Sequence, residues 1–229
     1  GVRGVSIAGT EVAAITGEEQ LCFRCHGDSP NPPAPRTPRV IAQGNTRLEF
    51  NTTNPSFHPV AGPGRNGNVP SLISPLTTAS TITCSSCHNN NAGPNAGGTG
   101  PNGPHGSTFP LLLERQYVTA DNSSESAANY ALCYKCHSRT AIIGNGTGSF
   151  KDHNKHIVGE RTPCNVCHDP HGVSATQGTA VNNAKLINFD TSVVTPVSAS
   201  VPIRCVVTGT NRGSCYLMCH GTSHNPKSY

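Results

Sequence analysis

Apolar residues along this chain come in short bursts divided by long polar stretches rich in Gly, Pro, Asn and Ser. Residues 1–10 predict a short strand, and GEEQLCFRC (17–25) a helical turn. Residues 28–80, with NPPAPRTPRV and NTTNPSFHPVAGPGRNGNVP, read as irregular chain that holds His58 in a turn before Pro59. Residues 89–107 are glycine-rich. The best helix is SSESAANYALCYKC (123–136), with Ser123 or Ser124 as N-cap and Ala127, Ala128, Ala131 and Leu132 favouring it. From residue 172 the texture changes, and 186–189, 193–194 and 201–207 predict short strands in a β-branched tail.

Such a pattern builds little core. Only 34% of the 229 residues are hydrophobic and 5% aromatic, while Gly and Pro number 24 and 19. Typical domains reach roughly 45–50% on a count that includes Gly. Either the chain is disordered or something other than side chains fills its interior, and 11 Cys with 11 His favour the second. The net charge of +4 comes without a Lys/Arg cluster or interleaved aromatics, so no nucleic-acid partner is expected. No run of about 20 apolar residues exists to span a membrane. The opening Gly1-Val2-Arg3-Gly4 is no signal peptide, so an exported protein would be present here with its leader already removed.

Four cysteine pairs share one form. Cys22/Cys25, Cys84/Cys87, Cys133/Cys136 and Cys164/Cys167 are each CxxC followed at once by histidine: His26, His88, His137 and His168. Covalent haem c demands this arrangement, because two thiols add across the vinyl groups on one porphyrin edge and the next histidine swings beneath the ring to the iron. Zinc would use two CxxC pairs per ion but gives no reason for a histidine after every pair. A redox CxxC would need a βαβ context that is lacking. Haems also explain the thin apolar content, with the chain acting as their wrapper. Covalent haem is attached outside the cytoplasmic membrane, which predicts an extracellular or cell-surface location, or alternatively the periplasm.

The second axial ligand decides between carrier and enzyme. The single methionine, Met218, lies inside CYLMCH and is poorly placed to cross another ring. Histidines outside the cysteine motifs are His58, His105, His153, His156, His171 and His224, enough to ligate every iron a second time. The first five are the distal candidates. Bis-histidyl iron has no open position, so electron transfer without catalysis is expected, with other cytochromes or metal oxides as partners. His168 and His171 should serve different haems, since one short turn cannot place both on opposite faces of one ring.

The tail holds one irregular motif. Cys215, Cys219 and His220 form CxxxCH, a candidate fifth haem site with His224 nearby. The competing reading is a disulfide from Cys205 to Cys215 or Cys219, closing a hairpin through GTNRG. Four covalent haems are expected, with five as the alternative. The expected fold is mostly irregular coil with short helices wrapped around a chain of haems, plus a few short β-strands in the tail. Residues 1–172 form the haem core and 173–229 a strand-rich tail that covers a haem or reaches a neighbouring subunit.

The ordered set CFRCH, SFHPV, CSSCH, GPHGS, CYKCH, the His153/His156 pair, CNVCHDPHG, LINFD and CYLMCHG resembles the multihaem c-type cytochromes exported by metal-reducing, Geobacter-like bacteria. It is most similar to small tetrahaem members that polymerise into extracellular filaments. The resemblance implies self-association into a homopolymer with continuously stacked haems, one axial histidine coming from the adjacent subunit. The alternative is a soluble periplasmic shuttle; a haem reductase or its electron-input subunit is the remaining reading.

Overall fold

The structure is a computed structural model that describes residues 1–30, 34–144 and 149–229. Residues 31–33 of the expected irregular stretch lie outside the described residues.

β1 (Gly4–Val5) and β2 (Glu11–Val12) pair antiparallel as an N-terminal ribbon. Next comes α1 (Glu18–His26), which carries Glu18 and Glu19 in its first turn and Arg24 in its last, as the helix dipole favours. It buries Phe23 and ends at Gly27, where a Cβ would sit 2.4 Å from the Phe23 carbonyl. α2 (Thr46–Glu49) is capped by Asn45, whose side chain accepts from the Leu48 N–H. β3 (Ser56–Phe57) pairs antiparallel across the chain with β4 (Gly172–Val173). Between them lie α3 (Ala131–Tyr134), α4 (Arg139–Ile143) and α5 (Cys164–Cys167). β5 (Val194–Thr195), β6 (Arg204–Gly209), β7 (Arg212–Cys219) and β8 (Thr222–Ser228) form a C-terminal antiparallel sheet in which β7 touches the other three. The protein is thus a mixed fold of short helices and turns with a C-terminal sheet. No helix among the described residues is long and apolar enough to cross a membrane.

Two elements depart from expectation. The helix expected over 123–136 shrinks to Ala131–Tyr134. Ser126 Oγ accepts from the Asn129 N–H, and Asn129 Nδ2 donates to the Ser124 carbonyl, so local side chains take the backbone partners a helix would need. The strand expected at 186–189 is instead a 3₁₀ turn over Ala184–Leu186, with Lys185 at φ 57° and Leu186 at φ 64°. The longest strand, β7, carries Cys215 to Cys219 of the CxxxCH stretch, and His220 falls in the turn to β8.

Among the described residues, the apolar interior gathers into two small clusters. Val166, Phe189, Val194, Cys205 and Leu217 join the sheet to the fourth motif, while Tyr130, Ile143 and Ile157 pack beside the third. Among the described residues as many polar as apolar ones are buried, so the polar ones must find partners. Asn188, 2% exposed, donates to the Ile41 carbonyl and Asp169 Oδ2 and accepts from the Ile41 N–H.

Glu125 clamps the third motif. It accepts two bonds from Arg139 at 2.8 and 2.6 Å and one from the Tyr134 hydroxyl at 3.0 Å. The Arg139 bonds outweigh burial and hold this carboxyl below its ordinary range. A depressed carboxylate stabilises the fold above its unfolded value, about 4.3, and loses that contribution as pH falls through the lower folded value. Acid titration should therefore loosen residues 125–139 first, read by hydrogen exchange, and Glu125→Gln should abolish that step. Equal exchange in variant and parent at every pH would refute the clamp.

Candidate functional site

Each CxxCH motif occupies one tight turn. The first lies on α1, the second in a 3₁₀ turn over Cys84–Ser86, the third at α3 and the fourth at α5. The second turn is fixed by reciprocal side-chain bonds between Thr83 and Ser86, and the fourth begins after Pro163, which suits a helix start. In the last three, the histidine N–H donates to the carbonyl of the first cysteine: His88 to Cys84 at 2.9 Å, His137 to Cys133 at 3.0 Å, His168 to Cys164 at 2.9 Å. One turn of chain thereby presents two thiols and an imidazole together. None of the eight cysteines of these motifs is engaged in a disulfide.

The histidines meet in pairs. Ring centroids lie 6.1 Å apart for His88 and His171, 6.4 Å for His58 and His137, and 6.2 Å for His153 and His168. Two imidazoles on opposite sides of one metal ion, each bonded at about 2.0–2.1 Å with the ring centre about 1.1 Å behind the nitrogen, place their centroids about 6.3 Å apart. Each pair joins one motif histidine to one histidine from elsewhere, so the spacing fits a haem iron held from both sides.

The other ring nitrogen is occupied in all six. Nδ1 of His88 donates to the Leu111 carbonyl at 2.9 Å and that of His168 to the Lys185 carbonyl at 2.9 Å. His137 uses Ser71 Oγ at 2.9 Å and His153 uses Ser149 Oγ at 3.0 Å. His58 is tied to the Pro170 carbonyl, and His171 to Glu49 Oε2 at 2.9 Å. A donated Nδ1–H fixes the tautomer that leaves Nε2 as a lone pair, the form an iron ligand needs. Burial pushes His137 down to about 4 and His153 down to about 3, and lowers His58, His88 and His168 as well. These five rings are neutral at physiological pH. For His171 burial acts the same way, but the Glu49 carboxylate outweighs it and raises the ring above its ordinary value.

The motifs also touch one another. The Cys22 and Cys84 sulfurs lie within 4.8 Å of each other, and Cys133 and Cys164, like Cys87 and Cys136, are within electrostatic reach. Sites one to four therefore follow one another in space as in sequence. Among the described residues, the exposed His26 and His105 have no ring partner. His156 instead pairs with His224, at 6.3 Å.

Two expectations compete for Cys215, and the structure gives it to a disulfide with Cys205; Cys219 stays free. Cys205 and Cys215 face each other across β6 and β7. The CxxxCH residues lie along an extended strand, which sets Cys215 and Cys219 about 13 Å apart at 3.3 Å per residue. His220 turns away to Asp121, 2.9 Å from its Oδ2.

Sequence reasoning named these histidines as candidate ligands but missed their hydrogen-bond partners. Ser71, Glu49 and Ser149 carry no motif, and only the fold brings them to a ring.

No curated protein and no solved structure matches the chain. Residues 74–142, which contain the second and third motifs, match the family described as doubled CXXCH motif. The chain therefore carries a doubled CXXCH motif typical of multihaem c-type cytochromes, which marks it as a haem-binding protein.

Proposed function

We propose that the protein carries electrons through four covalent c-type haems, each in turn ligated by two histidines. The observation that carries this is the three histidine pairs at 6.1–6.4 Å, each built on one CxxCH histidine. Bound haem iron supplies a reversible one-electron change between ferric and ferrous. The chain's own residues set the rest. Cys22, Cys25, Cys84, Cys87, Cys133, Cys136, Cys164 and Cys167 anchor the groups, and His26, His88, His137 and His168 ligate from below. His171, His58 and His153 close the second, third and fourth sites in that order, which leaves no position for a substrate. The closeness of the first motif to the second and of the third to the fourth supports neighbouring haem edges that meet, as a continuous path requires.

The same reading makes the chain the repeating unit of an extracellular filament that passes electrons to other cytochromes or to metal oxides. An exposed His26 without a ring partner among the described residues supports ligand supply from a second copy, with the exposed His105 as the group supplied. Residues 1–172 hold the haems, and the sheet in 173–229 covers the fourth site through Val166 and Cys167.

Intact mass of the denatured protein tests the count, and electron paramagnetic resonance of the assembled, oxidised protein tests the ligation. Four haem increments and only low-spin signals are expected. A fifth increment, or a stoichiometric high-spin species in the assembled state, would sink the reading.

A further inference from the structure

We propose that His156 and His224 form a binding site for a cupric ion, separate from the four CxxCH sites. Their ring centroids are 6.3 Å apart, within the range of the three pairs described above. That is the span of two imidazoles trans on one ion, which square-planar copper(II) accepts, whereas tetrahedral zinc would draw the centroids in to about 5 Å. The residues are distant in sequence. His156 lies in the single π-helical turn Asn154–Gly159, and His224 on β8 opposite Leu217. Nothing but the fold brings them together.

A covalent haem has no attachment here. Every CxxCH motif already brings its own histidine, Cys215 is bonded to Cys205, and Cys219 alone is left. Aromatic rings close one flank: Phe150 lies 5.9 Å from His156 and packs edge-on against Tyr229 at 4.7 Å. The space suits an ion better than a porphyrin.

Both rings are prepared to ligate. His156 Nδ1 donates to the Asp152 carbonyl at 2.7 Å, which leaves Nε2 as a lone pair. His224 Nδ1 is sealed from solvent without a hydrogen-bond partner; the Thr222 carbonyl approaches it outside bonding geometry. A buried ring nitrogen left unmatched is costly in a fold that satisfies the Nδ1 of the other paired histidines. Lys155 and Lys227 stand within electrostatic reach, so the local field does not attract cations. Affinity must come from the imidazole bonds, which excludes magnesium and calcium and selects metals that prefer nitrogen. Water would complete the coordination. An ion held here would clip β8 to the turn that follows His153, and so brace the fourth site.

The haem-loaded protein, washed with chelator and titrated with copper(II) in a calorimeter, should bind one equivalent per chain. Copper X-ray absorption should show two imidazoles in the first shell. His156→Ala and His224→Ala should each weaken binding by about tenfold or more, with the haem spectrum unchanged. His220→Asn, on the same hairpin, should bind as the parent does. Should either alanine variant fold poorly, His224→Gln provides the same comparison with a side chain of similar length. Absence of copper(II) binding, or binding that survives loss of both histidines, would overturn the site. So would a non-covalent haem extracted from the parent by acid organic solvent and absent from His224→Gln.

Discussion

Replacing His171 with alanine is expected to turn one haem of four high-spin and to raise its potential, with the other three unchanged. His171 sits 6.1 Å from the His88 ring and donates Nδ1–H to Glu49, so both its position and its tautomer are set for ligation. Without it the second site keeps only His88, and the ferric state loses the electron-rich ligand that favours it. The rise is drawn from a range of about 0.8 V that axial ligation commands. His58→Ala and His153→Ala should do the same to the third and fourth sites. Glu49→Gln makes the discriminating comparison. It retains the ligand and so the low spin, but removes the carboxylate that loads electron density through Nδ1–H, and a smaller upward shift should remain. Paramagnetic resonance and redox titration read both effects. A His171→Ala protein with four low-spin haems would show that another group closes the second site.

The chemistry was legible in the sequence because thioether attachment is local. Two thiols and one imidazole must fit one turn of chain, and Cys84-Ser-Ser-Cys87-His88 declares that without any fold. Ligand pairing is long-range, and spacing along the chain carries no trace of it. His171 stands three residues after His168 yet meets His88, and His58 crosses to His137. The tail left two readings open. CYLMCH resembles an attachment motif in letters, but Cys215 to Cys219 lie on a strand that buries Gly213 and Leu217. Cys205 ten residues earlier was the signal that Cys215 had another partner. The helix expected at 123–136 failed because propensity counted its alanines, whereas Ser124, Ser126 and Asn129 bond locally. In a chain with so little apolar surface, such polar bonds decide conformation.

Arg39 is where that principle has its largest consequence. Its guanidinium, with a side chain only 7% exposed, donates to the carbonyls of Asn165 at 2.5 Å, Asn188 at 2.7 Å and His168 at 3.2 Å, and lies 3.8 Å from Asp169. It thus crosses from the proline-rich segment to both strands of chain that frame the fourth motif. In sequence it cannot be told from the exposed Arg36 three residues earlier. Arg39→Met fills a similar volume but leaves three part-buried carbonyls and a buried carboxylate without their cation. Breaking a buried charge pair from one side costs about 3–5 kcal/mol, which at this chain length lowers the melting temperature by roughly 10 °C. Arg39→Lys should recover only part, since one ammonium cannot reach three carbonyls as the planar fork does. Intact mass should still show every haem, because attachment needs only the cysteines of each turn. The oxidised variant should lose low-spin character at the fourth site, where His168 is held by the same guanidinium. A Met variant that melts with the parent would mean that water replaces Arg39 at those carbonyls.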